Sequence, residues 1–279
     1  MTKATRPERT LSRRAFTGSL ALAALATPFS GTAREKFRRT LDLNDPQDNL
    51  TAMVKMRASL EAVDCPHWYF GTIYAVLPGK APIPMVDYEG SEIDCYEKQP
   101  DGSYRAYSAT VSFFRDTKTR KRLDTFENPV TGKTNVVRPN SISVKAHYIY
   151  SVDGAKRSDD TRPFSEFPPL IEQTKWTESG EHIWLTMNRP YPAGLPMGED
   201  QTGRGLLREL HDRDTAKVYT TANPTYIAPW LSWMDMKDHP GHTVWAGPAR
   251  KLDSVKQYPR ELLDFMEQNY PHKLTAKPG

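Results

Sequence analysis

The chain has 279 residues, with 38 Lys+Arg against 34 Asp+Glu and a formal net charge of +4. Residues 1–33 hold five of the basic residues and one acid, so residues 34–279 balance at 33 of each sign. The rest of the chain therefore lacks the net basic bias expected of a nucleic-acid binder, and its densest basic run, Lys118 to Arg122, reads as a solvated hairpin turn.

The N-terminus reads as a leader. Arg6, Arg9, Arg13 and Arg14 form a basic region, and Ser12-Arg13-Arg14-Ala15-Phe16 fits the Ser-Arg-Arg-x-Phe core of twin-arginine signals. An apolar run from Leu20 to Ala26 follows, then the small residues Gly31-Thr32-Ala33. This order predicts a twin-arginine signal peptide over residues 1–33, cut after Ala33 with Ala26 as the alternative. The apolar run is too short for a permanent membrane anchor, and no cysteine near the cut invites a lipid. Residues 34–279 would then be carried by the twin-arginine export machinery to the periplasm or beyond, as a single β-rich domain long enough to bury a core.

After a charged stretch from Arg34 to Leu43, Asp45-Pro46 signals a helix start. Leu50, Met53, Val54, Leu60 and Val63 continue it as an apolar stripe towards Cys65-Pro66. The period then becomes alternating. His67 to Leu77 is aromatic and β-branched. Met85 to Tyr88 and Ile93 to Tyr96 flank Gly90, which reads as a bulge or bend. Tyr107, Ala109, Val111 and Phe113 share a strand face opposite Ser108, Thr110 and Ser112.

Leu123 to Phe126 and Asn135 to Val137 bracket an Asn128-to-Lys133 turn that Asn128 and Thr131 close through their side chains. Residues 142–150 alternate as one strand, and Glu178 to Glu181 turns a hairpin between Trp176 and Trp184. Arg189 to Glu199, with three prolines and two glycines, reads as a surface crossing. Leu206, Leu207 and Leu210 suggest a short helix, Pro259 to Met266 another, and the residues after Tyr270 a tail. Strands joined by short turns predict a mainly β fold with a few short helices, an antiparallel meander forming a curved sheet or β-barrel. Cys65 and Cys95 are the only cysteines. In an oxidising compartment they could pair, closing a loop of about thirty residues worth roughly 3 kcal/mol, or remain buried thiols.

Asp116-x-Lys118-Thr119, Phe126-x-Asn128-Pro129-x-Thr131-Gly132, Trp230-x-x-Trp233-Met234 and Pro240-Gly241, in that order, resemble the bacterial domain-of-unknown-function family 1838. The resemblance spans most of residues 34–279. It implies export and architecture and supplies no catalytic residues.

No phosphate-cradling loop, dinucleotide fingerprint, nucleophile elbow, zincin motif or structural-zinc cysteine set is present. The chemistry-bearing residues are dispersed. Asp87, Glu89, Glu92 and Asp94 gather around Gly90, where they read first as a solvated, acid-rich bend; like charges facing a cavity there could instead do acid–base work. His67 opens the aromatic strand. His147 shares a polar face with Ser143 and Lys145, which with Ser112 would line a pocket if the sheet closed. Trp230 to Trp245 concentrates three tryptophans, two methionines, two histidines and two carboxylates. They could form an apolar wall for a flat ligand, or only core and turn; metal binding by His239 and His242 with Asp235 or Asp238 is the least favoured use.

The expectation is an exported protein that binds an apolar or aromatic small molecule through Trp68, Tyr148, Trp184, Trp230, Trp233, Met234, His239 and Trp245, with no metal and no cofactor. The alternatives are a cofactor-independent isomerase, cyclase or hydrolase using His67, His147, Asp87 or Glu89, and an envelope interaction module without a pocket.

Overall fold

The computed structural model describes residues 39–143, 147–190 and 198–277; the leader read at residues 1–33 lies outside them, as does Lys145. Helix α1 (Pro46–Arg57) starts as the sequence predicts. The Asp45 carboxylate accepts from the amides of Gln47 and Asp48, each at 2.9 Å, and Pro46 takes the first turn. Leu50, Met53 and Val54 are fully buried. The helix stops at Arg57, short of the predicted Cys65, because the chain's far end captures its last carbonyls. Lys251 Nζ donates to Lys55 O at 3.0 Å and to Ala58 O at 2.9 Å.

The strands that follow are β1 (Cys65–Val76), β2 (Ile83–Lys98), β3 (Tyr104–Arg115), β4 (Thr125–Glu127), β5 (Thr134–Val136), β6 (Asn140–Ser143), β7 (Tyr148–Ser151) and β8 (Gly154–Arg157). Helix α2 (Leu170–Gln173) leads into β9 (Thr174–Ser179), β10 (His182–Pro190) and β11 (Gly198–Leu206). Helix α3 (Leu207–His211) precedes β12 (Thr221–Ala222), β13 (Thr225–Ala228), β14 (His242–Ala246) and β15 (Ala249–Lys251), and helix α4 (Arg260–Asn269) follows.

Strands β4 and β5 form a separate hairpin. The other thirteen make one antiparallel sheet. Its order is β9, β10, β11, then β12 and β13 end to end, β14 and β15 end to end, β1, β2, β3, β6 and β7 both on β3, and β8.

The sheet curls around α1. Ile183, Leu185 and Met187 of β10 and Tyr150 of β7 come from opposite ends of the strand order, yet join one buried cluster with Leu50, Met53 and Met56. Helix α2 crosses between those ends: Leu170 N donates to Val152 O at 3.1 Å, and Thr174 Oγ1 to Asn49 Oδ1 at 2.9 Å. The terminal strands β8 and β9 do not pair with each other among the described residues. The result is a curved sheet whose seam is filled by helices, not a barrel closed by strand pairing. The outer face of β1–β3 is covered by α4, whose Leu262, Phe265 and Met266 pack on Val111 and Phe113.

Several local expectations change. Gly90 is no bend: β2 runs unbroken through it, and Gly90 lies between Tyr69 and Ser112 in register. A Cβ there would sit 2.6 Å from Tyr69 Cε2, Ser112 Cβ and Val111 O, so glycine serves a close approach. The pairing irregularity falls instead at Ile73/Tyr74. Arg189 and Glu199, assigned to a surface crossing, are paired strand residues, and residues 191–197 lie outside the description. The run read as one strand over 142–150 is split between β6 and β7.

The tail after Tyr270 is docked. Ala276 is buried, its amide donates to Asp64 Oδ1 at 3.1 Å, and Lys277 pairs with Glu97. Cys65 and Cys95 are buried free thiols. Cys65 joins the cluster inside the curl, and Cys95 packs with Ile93 and Ala276 outside it. The sheet stands between them, so they form no disulfide.

Gly90→Ala is expected to destabilise the fold by about 1–3 kcal/mol through overpacking. The check is the midpoint of urea unfolding, with Gly203→Ala, whose added Cβ meets no atom within 4 Å and whose backbone is not left-handed, as the comparison. Equal losses from both would mean that the Tyr69–Gly90–Ser112 approach is not tight.

Candidate functional site

Alternation along the strands sorts every side chain to one face of the sheet. At mid-height the inner face crosses the sheet as Leu185, Gly203, Ala222, Ala249, Tyr69, Gly90 and Ser112, each paired with the next in register. Apart from Leu185 and Tyr69 these side chains are small. Around this row the curl is not filled: a Cβ on Gly203 would meet no atom within 4 Å. Tyr69, Ala222 and Ala249 are only half-buried although their strands have neighbours on both sides. The next row towards α1 is polar and runs Lys251, His67, Glu92, Thr110. On the other side the interior is packed by Ile73, Tyr88, Phe114, Trp233, Met234 and Trp245. A polar belt with room beside it thus lies between two apolar clusters.

Within the belt, His67 Nδ1 lies 3.8 Å from Asp94 Oδ2, and the imidazole keeps 15% of its side-chain surface. Burial, with Lys251 and Arg57 adding to it, pushes His67 well below its ordinary value, so the ring is neutral at physiological pH. Burial likewise raises the Tyr69 phenol, with Glu92 reinforcing the shift and the Ser112 hydroxyl beside it opposing. Tyr69 remains a protonated donor. Glu92 is steadied by Ser108 Oγ, which donates to Oε1 at 3.1 Å.

Arg57, the last residue of α1, donates from Nε to the Tyr96 hydroxyl at 3.0 Å. Burial works against its charge, but Tyr96, Tyr150, Asp94 and Glu92 together hold its guanidinium well above the usual value. The belt therefore offers a fixed cation, two carboxylates, a neutral imidazole and a phenol. Among the described residues no three His, Cys, Asp or Glu side chains converge as metal ligands would.

The residues nominated as acids and bases are not brought together. The register Phe70↔Glu89 and Thr72↔Asp87 turns both carboxylates to the outer face, away from His67. There they are engaged. Asp87 accepts from Thr72 Oγ1 at 2.5 Å and pairs with Arg120. Glu89 accepts from Trp68 Nε1 at 3.2 Å and from Arg115 at 3.1 and 2.6 Å, and Arg115 also reaches Glu261 at 2.9 Å. His147 stands against Tyr107, ring centroids 5.3 Å apart. It is held below its ordinary value by burial and by Arg105. Tyr107, opposite Cys95 in register, belongs to the outer face.

The aromatic wall also divides. Trp233, Met234 and Trp245 are buried core, with Trp233 5.2 Å from Phe114 and Trp245 5.1 Å from Tyr88. Trp230 Nε1 donates to His239 O at 2.9 Å, and the His239 side chain is exposed. Trp68 is on the outer face against Phe70, at 4.7 Å. Trp184 packs 5.9 Å from His182, and Tyr148 stacks on Tyr150 at 6.2 Å beside the α1 cluster. The turn residues behave as expected: Asn128 Oδ1 accepts from Val130 N at 2.9 Å and Thr131 N at 3.3 Å. Asn128 Nδ2 also reaches Met234 O at 3.1 Å. Exposed large apolar residues among those described are Val63, Val136 and Tyr219, from three separate stretches.

Arg57, Tyr69 and Lys251 escaped the sequence reading. Only period-two continuity through Gly90 would have revealed that Glu92 and Asp94 share a face with His67 while Asp87 and Glu89 do not.

The model of the family described as "Protein of unknown function (DUF1838)" matches residues 64–278. No curated protein matches the chain. A solved structure titled "The complex structure of Pseudomonas aeruginosa MucA/MucB" aligns at 9% identity over 84% of this chain and 99% of that one. Its TM-score of 0.11 carries no likeness of fold.

Burial pulls the Lys251 ammonium down to about 7, against the upward pull of Cys65 and Asp94. The two hydrogens of a neutral amine match the two α1 carbonyls that it meets. An unfolded lysine titrates near 10.5, so between about pH 7 and 10.5 the unfolded chain holds a proton that the folded chain has released. Stability from this residue therefore rises with pH across that window. The difference in unfolding free energy between wild type and Lys251→Met is expected to shift in favour of wild type from pH 7 to 10, measured by urea denaturation. A difference that is flat with pH would rule the buried amine out.

Proposed function

The chain belongs to the DUF1838 family, and on that footing we propose that it is an exported protein that binds a small molecule inside its curled sheet. The observation that carries this reading is the open space at Gly203 on the inner face, in the same row as Tyr69 and next to the row of His67 and Glu92. Ligand pockets combine apolar walls with a few convergent polar groups. Here the apolar surface comes from Tyr88, Phe114 and Trp245 at one end and Leu185 and Met187 at the other. The polar groups are Tyr69, His67 and Glu92. The ligand is accordingly a compact apolar or aromatic molecule with one hydrogen-bonding end. A polar belt left in contact with space is costly without a partner, which favours a binding role over a purely structural one.

N-phenyl-1-naphthylamine, a neutral apolar fluorophore, is expected to bind the wild type. Gly203→Leu, which fills the space, should weaken binding about tenfold or more, a loss of about 1.4 kcal/mol, without lowering Tm. Equal binding by both proteins would place the dye elsewhere and remove the reading.

The export half rests on Ser12-Arg13-Arg14-Ala15-Phe16 and the apolar run after it. Replacing Arg13 and Arg14 with Lys together is expected to retain the full-length chain in the cytoplasm, read by cell fractionation and intact mass. Unchanged export of the double variant would exclude the twin-arginine route.

A further inference from the structure

We propose that the belt is an active site for cofactor-free proton transfer, isomerising a ketone whose double bond lies one carbon away from conjugation, with Glu92 as base and Tyr69 as the donor to the carbonyl oxygen. This rests on the internal binding site proposed above and adds a reaction to it.

The geometry comes from register. Glu92 is the cross-strand partner of His67, and Tyr69 is two residues along β1 from His67 on the same face. Neighbouring strands are about 4.8 Å apart and alternate residues about 6.7 Å. The three residues thus border one patch of the inner face. Ser108 holds Glu92 Oε1. No hydrogen bond engages Oε2 among the described residues, so this oxygen is the one available to a substrate. Asp94 lies on the Nδ1 side of His67, so Nε2 is the nitrogen assigned to the proton relay.

The roles follow from protonation. Burial keeps Tyr69 protonated and His67 neutral, so one donates a hydrogen bond and the other can pass a proton in either direction. Glu92 Oε2 takes the proton from the carbon between the carbonyl and the double bond. The electron pair of that C–H bond flows onto the carbonyl oxygen, giving a dienolate that accepts a hydrogen bond from the Tyr69 hydroxyl. The same proton returns from Glu92, directly or through His67, to the far carbon of the double bond. One C–H bond breaks and another forms. Nothing is oxidised or reduced, and no second substrate is needed.

The probe is 3-cyclohexen-1-one, whose conversion to the conjugated 2-cyclohexen-1-one is followed by ultraviolet absorbance. Wild type is expected to accelerate it above buffer. Tyr69→Phe should lower kcat about 100-fold, as loss of one oxyanion donor does, with KM little changed. Glu92→Gln should abolish the reaction. Glu261→Gln, exposed on the outer face, should leave the rate unchanged.

A second measurement needs no turnover. 2-Naphthol, a flat mimic of the dienolate, should displace N-phenyl-1-naphthylamine at least tenfold better than 2-methoxynaphthalene, and Tyr69→Phe should erase that preference. Dye binding by the wild type with neither isomerisation nor a naphthol preference would overturn the catalytic proposal and leave the binding site standing. Failure to bind the dye would remove both.

Discussion

The register of β1 on β2, from Cys65↔Asp94 to Ala75↔Ile83, is the constraint on which the rest of the structure depends. It holds through the middle because Gly90 has no side chain where the Tyr69 ring and Ser112 come together. A slip of one residue would exchange the two faces of β2. Asp87 and Glu89 would leave Arg120 and Arg115 and enter the curl, and Glu92 and Asp94 would leave His67 and Arg57. One backbone pairing thus decides which carboxylates brace the outer surface and which line the interior.

The second organising element is the buried end of α1. Lys251 satisfies carbonyls at its end, and Lys55, from its last turn, does the same for the end of α3, donating to Glu209 O, Leu210 O and Asp212 O at 3.0, 2.7 and 2.7 Å. Buried amino groups are tolerable where backbone acceptors surround them, and helix C-termini supply such acceptors. Two long-range ties therefore hold α1 against both β15 and α3. Arg57, which ends the same helix, is thereby delivered to the polar belt. The helix plugs the seam of the sheet and carries the belt's fixed cation.

The interior has a gradient from this arrangement. Aliphatic packing around α1 gives way to charged and hydrogen-bonding groups at His67, Glu92 and Arg57, then to small residues and space along the Tyr69 row, then to the aromatic packing of Phe114, Trp233 and Trp245. A sheet selected for stability alone would carry apolar side chains across that middle, because an unmatched polar group in a core costs more than a methyl group contributes. On the outer face, by contrast, Glu89, Arg115 and Glu261 form a bridge from the sheet to α4, and their charges are spent on architecture.

The sequence by itself determined what is local. The Asp45-Pro46 cap, the Asn128 turn and the alternation that makes the fold an antiparallel sheet with short helices all follow from side-chain chemistry within a few residues. The family signature in residues 64–278 is likewise legible there. The tertiary structure alone decided where α1 ends, since its cap comes from Lys251. It also decided that Trp233, Met234 and Trp245 are core, and that Cys65 and Cys95 lie on opposite sides of one sheet. Above all it decided that His67 meets Glu92 and Asp94 in place of Asp87 and Glu89. Composition brings all four carboxylates to the same few residues of chain, but facing is a property of strand continuity and register, which depend on a partner strand and on whether a glycine bends or only makes room.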